Sequence, residues 1–318
     1  MSLPNHLIRS FLGTPSTTTK ASILFAHANG FHKGMWSPIL EDMKKVYRHS
    51  GDQIEVVAMD FKGHGQLGRT NNLNAATHWV EGIPFEVLDA IELLKADATT
   101  GPPIRIGVGM SLGGGALLLA QHKQPNLFTH LFLLEPVLLV AETADNKVET
   151  YRVADSPFEK NARKRKDRFT STEEALDYFS TRKAFAAFDQ RSISAYVHGG
   201  TSVRNSRDSN NTAQETIQLC CAPEYEATIY TSLPIVPPHV LKQIGNGCKV
   251  TLCVGDNSAF TLSPVDKTAV DYYGKRIAPH LLDGGTEELV VLKNCTHNAP
   301  MENPMDLAHK IVSLLSSD

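Results

Sequence analysis

The stretch RIGVGMSLGGGALLLA, residues 105–120, decides the reading of this chain. It begins as an apolar run, breaks at Ser111 and crosses three consecutive glycines before turning apolar again. Gly109, Ser111 and Gly113 spell G-x-S-x-G. A strand that ends in this pattern and opens into a helix has the context of a nucleophile elbow. The turn is tight, so a side chain two residues before or after the serine would clash. The amide of Leu112 then sits at a helix N-terminus, where donors without intrahelical acceptors face developing negative charge. A glycine-rich turn with an incidental serine would share the letters, but the strand before and the helix after favour a nucleophile.

Working outward, short apolar runs alternate with helical ones. SILFAHA (22–28), EVVAMD (55–60), IRIGVGM (104–110), HLFLLE (130–135), KVTLCVG (249–255) and ELVVLKN (288–294) are too short for helices and rich in Val, Ile and Leu. Strands covered on both faces look like this. Between them WSPILEDMKKVYR, THWVEGIPFEVLDAIELLKA, GGGALLLAQHK and PMDLAHKIVSLL carry helical spacing. The alternation predicts an α/β fold, a mostly parallel central sheet with helices on both faces. Residues 137–244 break the rhythm. No buried strand is evident there, STEEALDYFSTRKAFAAF and ETIQLCCAPEYEATIYTSL read as helices, and SVRNSRDSNNTAQ reads as a polar loop. The expected organisation is therefore a core of residues 1–136 and 245–318 with a helical cap of residues 137–244. The basic run at 160–168 is expected to be a solvated helix face.

Composition narrows the function classes. The chain has 318 residues, 42% hydrophobic and 20% charged, with a formal net charge of −3. That is an ordinary globular balance, with no basic tract to favour nucleic acid or an anionic membrane surface. No apolar run reaches the ~18–20 residues of a membrane span, and the first residues lack a signal-peptide core. The five cysteines, Cys220, Cys221, Cys248, Cys253 and Cys295, form no C-x-x-C pair. They are expected to be reduced thiols, which suits a cytoplasmic location. The sequence sets no oligomeric state.

A serine nucleophile needs a base, an acid and oxyanion donors. His297, in VLKNCTHNAPMENP, follows the last strand and precedes a helix, which singles it out among 13 histidines. His64, in MDFKGHGQLG, also follows a strand but reads as structural, in a turn with Asp60 and Gly65. Two acids end strands: Glu135 in FLLEPV and Asp256 in LCVGDNSAF. Both satisfy the chain order Ser, acid, His. Glu135 is preferred because Pro136 fixes the chain's exit, and Asp256 is the alternative. The loop FAHANGFHKGMW follows a strand and is expected to bring the Asn29 amide beside that of Leu112 as a second donor. Phe31, Trp36 and Met110 are candidates for a lipophilic pocket lining, with core packing the competing role for Trp36. Phe185, Phe188 and Tyr196 are weighed as further lining residues against helical core.

Ser111, Glu135 or Asp256, and His297, together with HANGF and DFKGHG, resemble the α/β-hydrolase superfamily over nearly the whole chain. PNLFTHLFLLEPVLL resembles a subgroup of fungal peroxisomal serine lipases and toxin-biosynthesis hydrolases. The resemblance implies the Asn29 amide as an oxyanion donor. It also places the usual acid of the later strand at Ser258, which favours Glu135 here. It raises a peroxisomal location, although the chain ends in LLSSD rather than an S-K-L-type address. The expected activity is a serine hydrolase cleaving a carboxylic ester, lactone or thioester of a lipophilic small molecule through an acyl-enzyme, without metal or cofactor. An acyltransferase, a carbon–carbon bond hydrolase and a non-catalytic ligand-binding protein are the alternatives.

Overall fold

The computed structural model describes residues 7–13, 19–47, 52–68, 82–92, 94, 104–153, 155–207, 213–282 and 288–316. The first core strands are β1 Leu7–Gly13, β2 Thr19–Ala26, β3 Gln53–Met59, β4 Ile104–Met110 and β5 His130–Leu134. The inserted segment contributes β6 Leu139–Val140, β7 Glu149–Arg152, β8 Arg168–Phe169, β9 Thr201–Arg207, β10 Ala213–Leu219 and β11 Ser232–Val236. The core resumes with β12 Lys249–Gly255 and β13 Glu288–Leu292. The central sheet has seven strands in the order β1-β3-β2-β4-β5-β12-β13. Its neighbours are parallel except β1, which pairs antiparallel with β3 at the edge.

Period-two alternation sorts the strand side chains into two cores, one on each face of the sheet. Leu24, Ala26, Val57, Met59, Leu131 and Leu133 belong to one core, packed with the helices Ile83–Ile91, Leu112–Lys123 and Pro238–Gly247. Ile23, Phe25, Val56, Ala58, Val108, Phe132 and Leu134 belong to the other, with the helices Ser37–Val46 and Pro304–Ser313. Both faces being covered, the strands carry apolar residues without a polar stripe. That is why the sequence reads them as continuous runs.

The inserted segment departs from the helical cap expected at 137–244. It holds two three-stranded sheets, β8-β10-β9 and β6-β11-β7, besides its helices. The predicted helix over 215–233 is instead β10, the helix Pro223–Ile229 and β11. Part of the predicted polar loop is the β9–β10 hairpin. The sequence carries no strand signal here because β9 is largely solvent-facing, with Val203 58% exposed, and β11 carries Pro234. The helix Pro238–Gly247 crosses the expected 244/245 boundary and packs on the core helix Leu112–Lys123. β1, in the N-terminal stretch not read as a strand, is held in part by Arg9, whose Nε lies 2.8 Å from Glu55 Oε1. His78 and residues 77–81, 93, 95 and 96 of the helix predicted over 77–96 lie outside the described residues.

One charged cluster fastens the inserted segment to the core. Arg191 Nη1 and Nη2 each donate at 2.9 Å to an Asp42 carboxylate oxygen, so the contact is bidentate. Asp189 caps the helix Gln190–Gly200 and accepts from the same guanidinium at 3.0 Å. The Arg191 hydrogen bonds hold the Asp42 carboxyl below its usual range. Replacing Arg191 by Ala is expected to cost on the order of 2 kcal/mol, from the worth of charge-assisted hydrogen bonds less solvent screening. A group depressed in the folded state contributes its stability fully above its unfolded value, about 3.9, and loses it as pH falls through the folded value. The wild-type advantage in melting temperature over R191A should therefore be full near pH 7 and shrink in acid, which thermal denaturation across pH 3–7 measures.

Candidate active site

All parallel strands present their C-terminal ends at one edge of the sheet. The chain order reverses between β2 and β4, and open α/β sheets bind ligands at such a switch point. Asn29 follows β2 and Ser111 follows β4, so the two flank the reversal.

Ser111 stands at φ 53°, ψ −116°, a conformation that non-glycine residues rarely adopt. Such strain costs ~1–3 kcal/mol and needs surrounding contacts to hold it. The contacts are present. Ser111 N donates to Leu134 O at 2.9 Å, and Ser111 O accepts from Gly115 N and Val137 N at 3.0 Å each. The flanking glycines are steric necessities. A Cβ on Gly113 would lie 2.1 Å from Ala26 O of β2, and one on Gly109 2.7 Å from Gly114 N. The Leu112 amide opens the buried helix Leu112–Lys123, where no intrahelical acceptor is available.

The loop after β2 is built on two neutral histidines. Burial drives His27 down to about 3 and His64 well below its ordinary value. His27 Nδ1 faces Ala28 O at 2.7 Å, so Nε2 accepts from Phe61 N at 3.1 Å. His64 Nδ1 faces Lys62 O, and its Nε2 accepts from Gly30 N at 3.1 Å. Asp60 accepts from Lys33 N at 2.7 Å and Gln66 N at 3.0 Å, and a Cβ on Gly65 would strike its carboxylate. His64 is thus part of the turn with Asp60 and Gly65. Asn29 Nδ2 donates at 3.0 Å to Glu226 O of the inserted segment, which ties this loop to the cap.

His297 lies beyond β13, and its Nδ1 is 2.6 Å from Glu135 Oε2. Glu135 is 2% exposed and sits at φ 41°, directly after β5. Its Oε2 also accepts from Ser258 Oγ at 2.9 Å, and its Oε1 accepts from Gly255 N at 2.9 Å. Asp256 turns elsewhere: its Oδ1 accepts from the Cys295 amide at 3.3 Å. Of the two acids weighed from the sequence, Glu135 meets His297 and Asp256 does not. Ser258, the position where the resemblance puts the usual acid, binds the same carboxylate. Thr296 N donates to Glu302 at 2.7 Å, which anchors the residue before His297, a clamp the sequence gave no reason to suspect. Among the described residues no hydrogen bond joins the Ser111 hydroxyl to His297. Catalytic hydrogen bonds are often long without substrate and tighten in the Michaelis complex.

Ser111, Leu112 and Asn29 share one cavity of about 480 Å³. Its apolar walls include Val137, Leu139, Val153, Phe158, Ile229 and Leu233 from the inserted segment and Phe260 and Leu262 from the loop after β12, and among the described residues no charged side chain lines it. The three pocket candidates drawn from the sequence do not line it. Met110 is fully buried with the neighbours of Val108 on the second core, and Trp36 is fully buried against Phe25 at 5.1 Å. Phe31 packs edge-on against Tyr196 at 5.3 Å. Phe185, Phe188 and Tyr196 join Phe179 in an aromatic cluster of the second core. Proximity in sequence to the elbow did not translate into proximity to the cavity, whose walls come from distant segments with no motif.

The comparisons agree with this architecture. Residues 23–310 match the model of the alpha/beta hydrolase family, and the chain belongs to that family. It is 28% identical over 126 residues to the peroxisomal membrane protein LPX1 of Saccharomyces cerevisiae, covering 39% of this chain and 32% of that protein. It is 26% identical over 125 residues to the monoglyceride lipase of Rattus norvegicus, covering 39% and 38%. The matched segments thus span less than half the length of these curated relatives. The solved structure of the peroxisomal alpha-beta-hydrolase Lpx1 from Saccharomyces cerevisiae superposes with a TM-score of 0.69 at 16% identity, over 98% of this chain and 89% of that one. A thioesterase domain from the curacin biosynthetic pathway gives 0.59 at 17%, over 96% and 94%. At these identities the solved structures share the fold of this chain. Among the described residues no helix is long and apolar enough to cross a membrane.

The steric reading of the elbow has a direct check. Gly113→Ala should destabilise the protein by more than ~3 kcal/mol or prevent folding, because the clashing atom is a strand carbonyl fixed on both sides. Gly247→Ala, whose nearest neighbour would be 3.6 Å away, should be tolerated. Denaturant unfolding of the two variants compares them.

Proposed function

We propose that this protein is a serine hydrolase that cleaves a neutral, lipophilic carboxylic ester, lactone or thioester through an acyl-enzyme. The observation that carries the reading is the 2.6 Å contact of His297 Nδ1 with the buried Glu135 carboxylate, set beside a strained serine that opens into an apolar cavity. Ser111 Oγ attacks the carbonyl as His297 Nε2 takes its proton. Glu135 fixes the tautomer and stabilises the imidazolium. The amides of Leu112 and Asn29 receive the oxyanion, and losing one such donor typically costs ~2.7–4 kcal/mol of barrier. The protonated His297 then returns the proton to the leaving group, and water releases the acyl group by the reverse sequence. No metal or organic cofactor takes part, because nucleophile, base and donors are all protein groups. The substrate is a small molecule, and the five free, buried cysteines support a reducing compartment such as the cytoplasm.

Two experiments test this. Ser111→Ala should abolish turnover and labelling by a fluorophosphonate probe while keeping the wild-type melting curve. Full activity in that variant overturns the assignment. Glu135→Gln should lower kcat by ~10⁴-fold, the scale seen when a triad acid loses its charge, whereas Asp256→Asn should stay within about tenfold of wild type.

The cavity adds a size limit. The cavity offers about 480 Å³ to an acyl group. Across a series of simple esters kcat/KM should rise by up to about fourfold per added methylene, from ~0.8 kcal/mol each, until the acyl chain outgrows that volume. Esters carrying a second carboxylate should be poor substrates, and steady-state rates on a matched panel measure both trends.

A further inference from the structure

We propose that Ser258 and Phe260, on the loop that leaves β12, are positioning residues that hold Glu135 and His297 in their working orientation. The inference rests on the hydrolase reading above and extends it to two residues that carry no chemistry of their own.

Ser258 acts on the acid. It is 2% exposed, and its hydroxyl donates at 2.9 Å to Glu135 Oε2, the same oxygen that meets His297 Nδ1. Gly255 N occupies the other oxygen, Oε1. A carboxylate held at both oxygens cannot rotate about its terminal torsion, which is otherwise broad. The oxygen facing the imidazole is therefore fixed before substrate arrives. Ser258 is itself held, because its amide donates to Gly255 O at 3.2 Å.

Phe260 acts on the base. Its ring lies over the His297 ring at 4.0 Å between centroids and 23° between planes. The Phe260 amide donates to Ser258 Oγ at 3.3 Å, so one short segment carries both contacts. Phe158 of the inserted segment packs against Phe260 at 5.4 Å and hinders it from swinging away. A stacked aromatic face does two things for an imidazole that charges in the transition state. It keeps water off that face, and its quadrupole attracts the imidazolium. The other ionisable groups around the His297 loop are engaged elsewhere. Glu302 binds Thr296, Asp256 binds the Cys295 amide with Lys293 4.0 Å away, and Tyr273 donates to Pro136 O. Glu135 and Phe260 are thus the groups whose removal acts on the ring directly.

The test uses the full chain and four variants, Phe260→Leu, Phe260→Tyr, Ser258→Ala and Ser258→Thr. For each, kcat and KM are measured on one ester across pH, and the downfield proton resonance of His297 Nδ1 is recorded without substrate. Leucine keeps an apolar cover but removes the π face. F260L should lower kcat about fivefold and move the acid limb of the kcat/KM profile about half a unit to lower pH, and F260Y should restore both. S258A should lower kcat by a similar factor at unchanged KM and shift or broaden the downfield resonance, and S258T should restore it. The proposal is overturned if F260L changes KM alone with the acid limb unmoved, or if S258A leaves kcat and the resonance at wild type. It is also overturned if Tyr and Thr fail to rescue while every variant loses melting temperature in proportion to kcat. A resonance that responds to S258A in a protein that turns over no ester, lactone or thioester would sink the hydrolase reading and leave the clamp standing.

Discussion

The buried carboxylate of Glu135 is the constraint on which the site depends. Placing an ionised group at 2% exposure is costly unless hydrogen bonds compensate it. Here the compensation comes from three separate pieces of chain: the end of β12, the loop after it and the loop after β13. Those segments converge because the carboxylate needs them, and their convergence brings the imidazole to the edge where the β4 turn lifts its serine. The positive φ of Glu135 belongs to the same arrangement, since the backbone must turn sharply to aim the side chain across two strands. Removing the carboxylate would therefore disturb the order of the sheet's C-terminal edge as well as the charge beside His297.

The inserted segment is an integral wall of the cavity rather than an ornament on it. Most of the cavity's described apolar lining comes from it, and the Glu226 carbonyl holds the side chain of Asn29. On the far side Arg191 grips Asp42 in the core. The loop after β2 thus takes its shape from below, through His27 and His64, and from above, through the segment inserted more than a hundred residues later.

Much of this was legible in the residues. Six strands were visible as apolar runs because each is covered on both faces, and G-x-S-x-G could be trusted because it fell between a strand and a helix. His297 was found by position, since it alone followed the last strand. The acid was harder. Glu135 and Asp256 both end strands, and only side-chain direction separates them, which a one-dimensional string does not carry. The strands of the inserted segment were missed because their polar, exposed alternation resembles a loop and because Pro234 in β11 argues against a strand. The lining of the cavity was misassigned for a different reason. Met110, the last residue of β4, points into the second core by the two-residue period that sends adjacent side chains apart, and Trp36 ends a short 3-10 turn that packs on Phe25 in that same core.

The absence of charge among the cavity's described lining residues shapes how a catalytic cycle ends under the proposed chemistry. In that chemistry a neutral guest enters and an acid is set free inside. Once ionised, that acid faces apolar walls in place of its hydration shell, which is costly for a carboxylate. Departure is downhill for the anion, so the chamber clears itself by the same apolar character that admitted the guest.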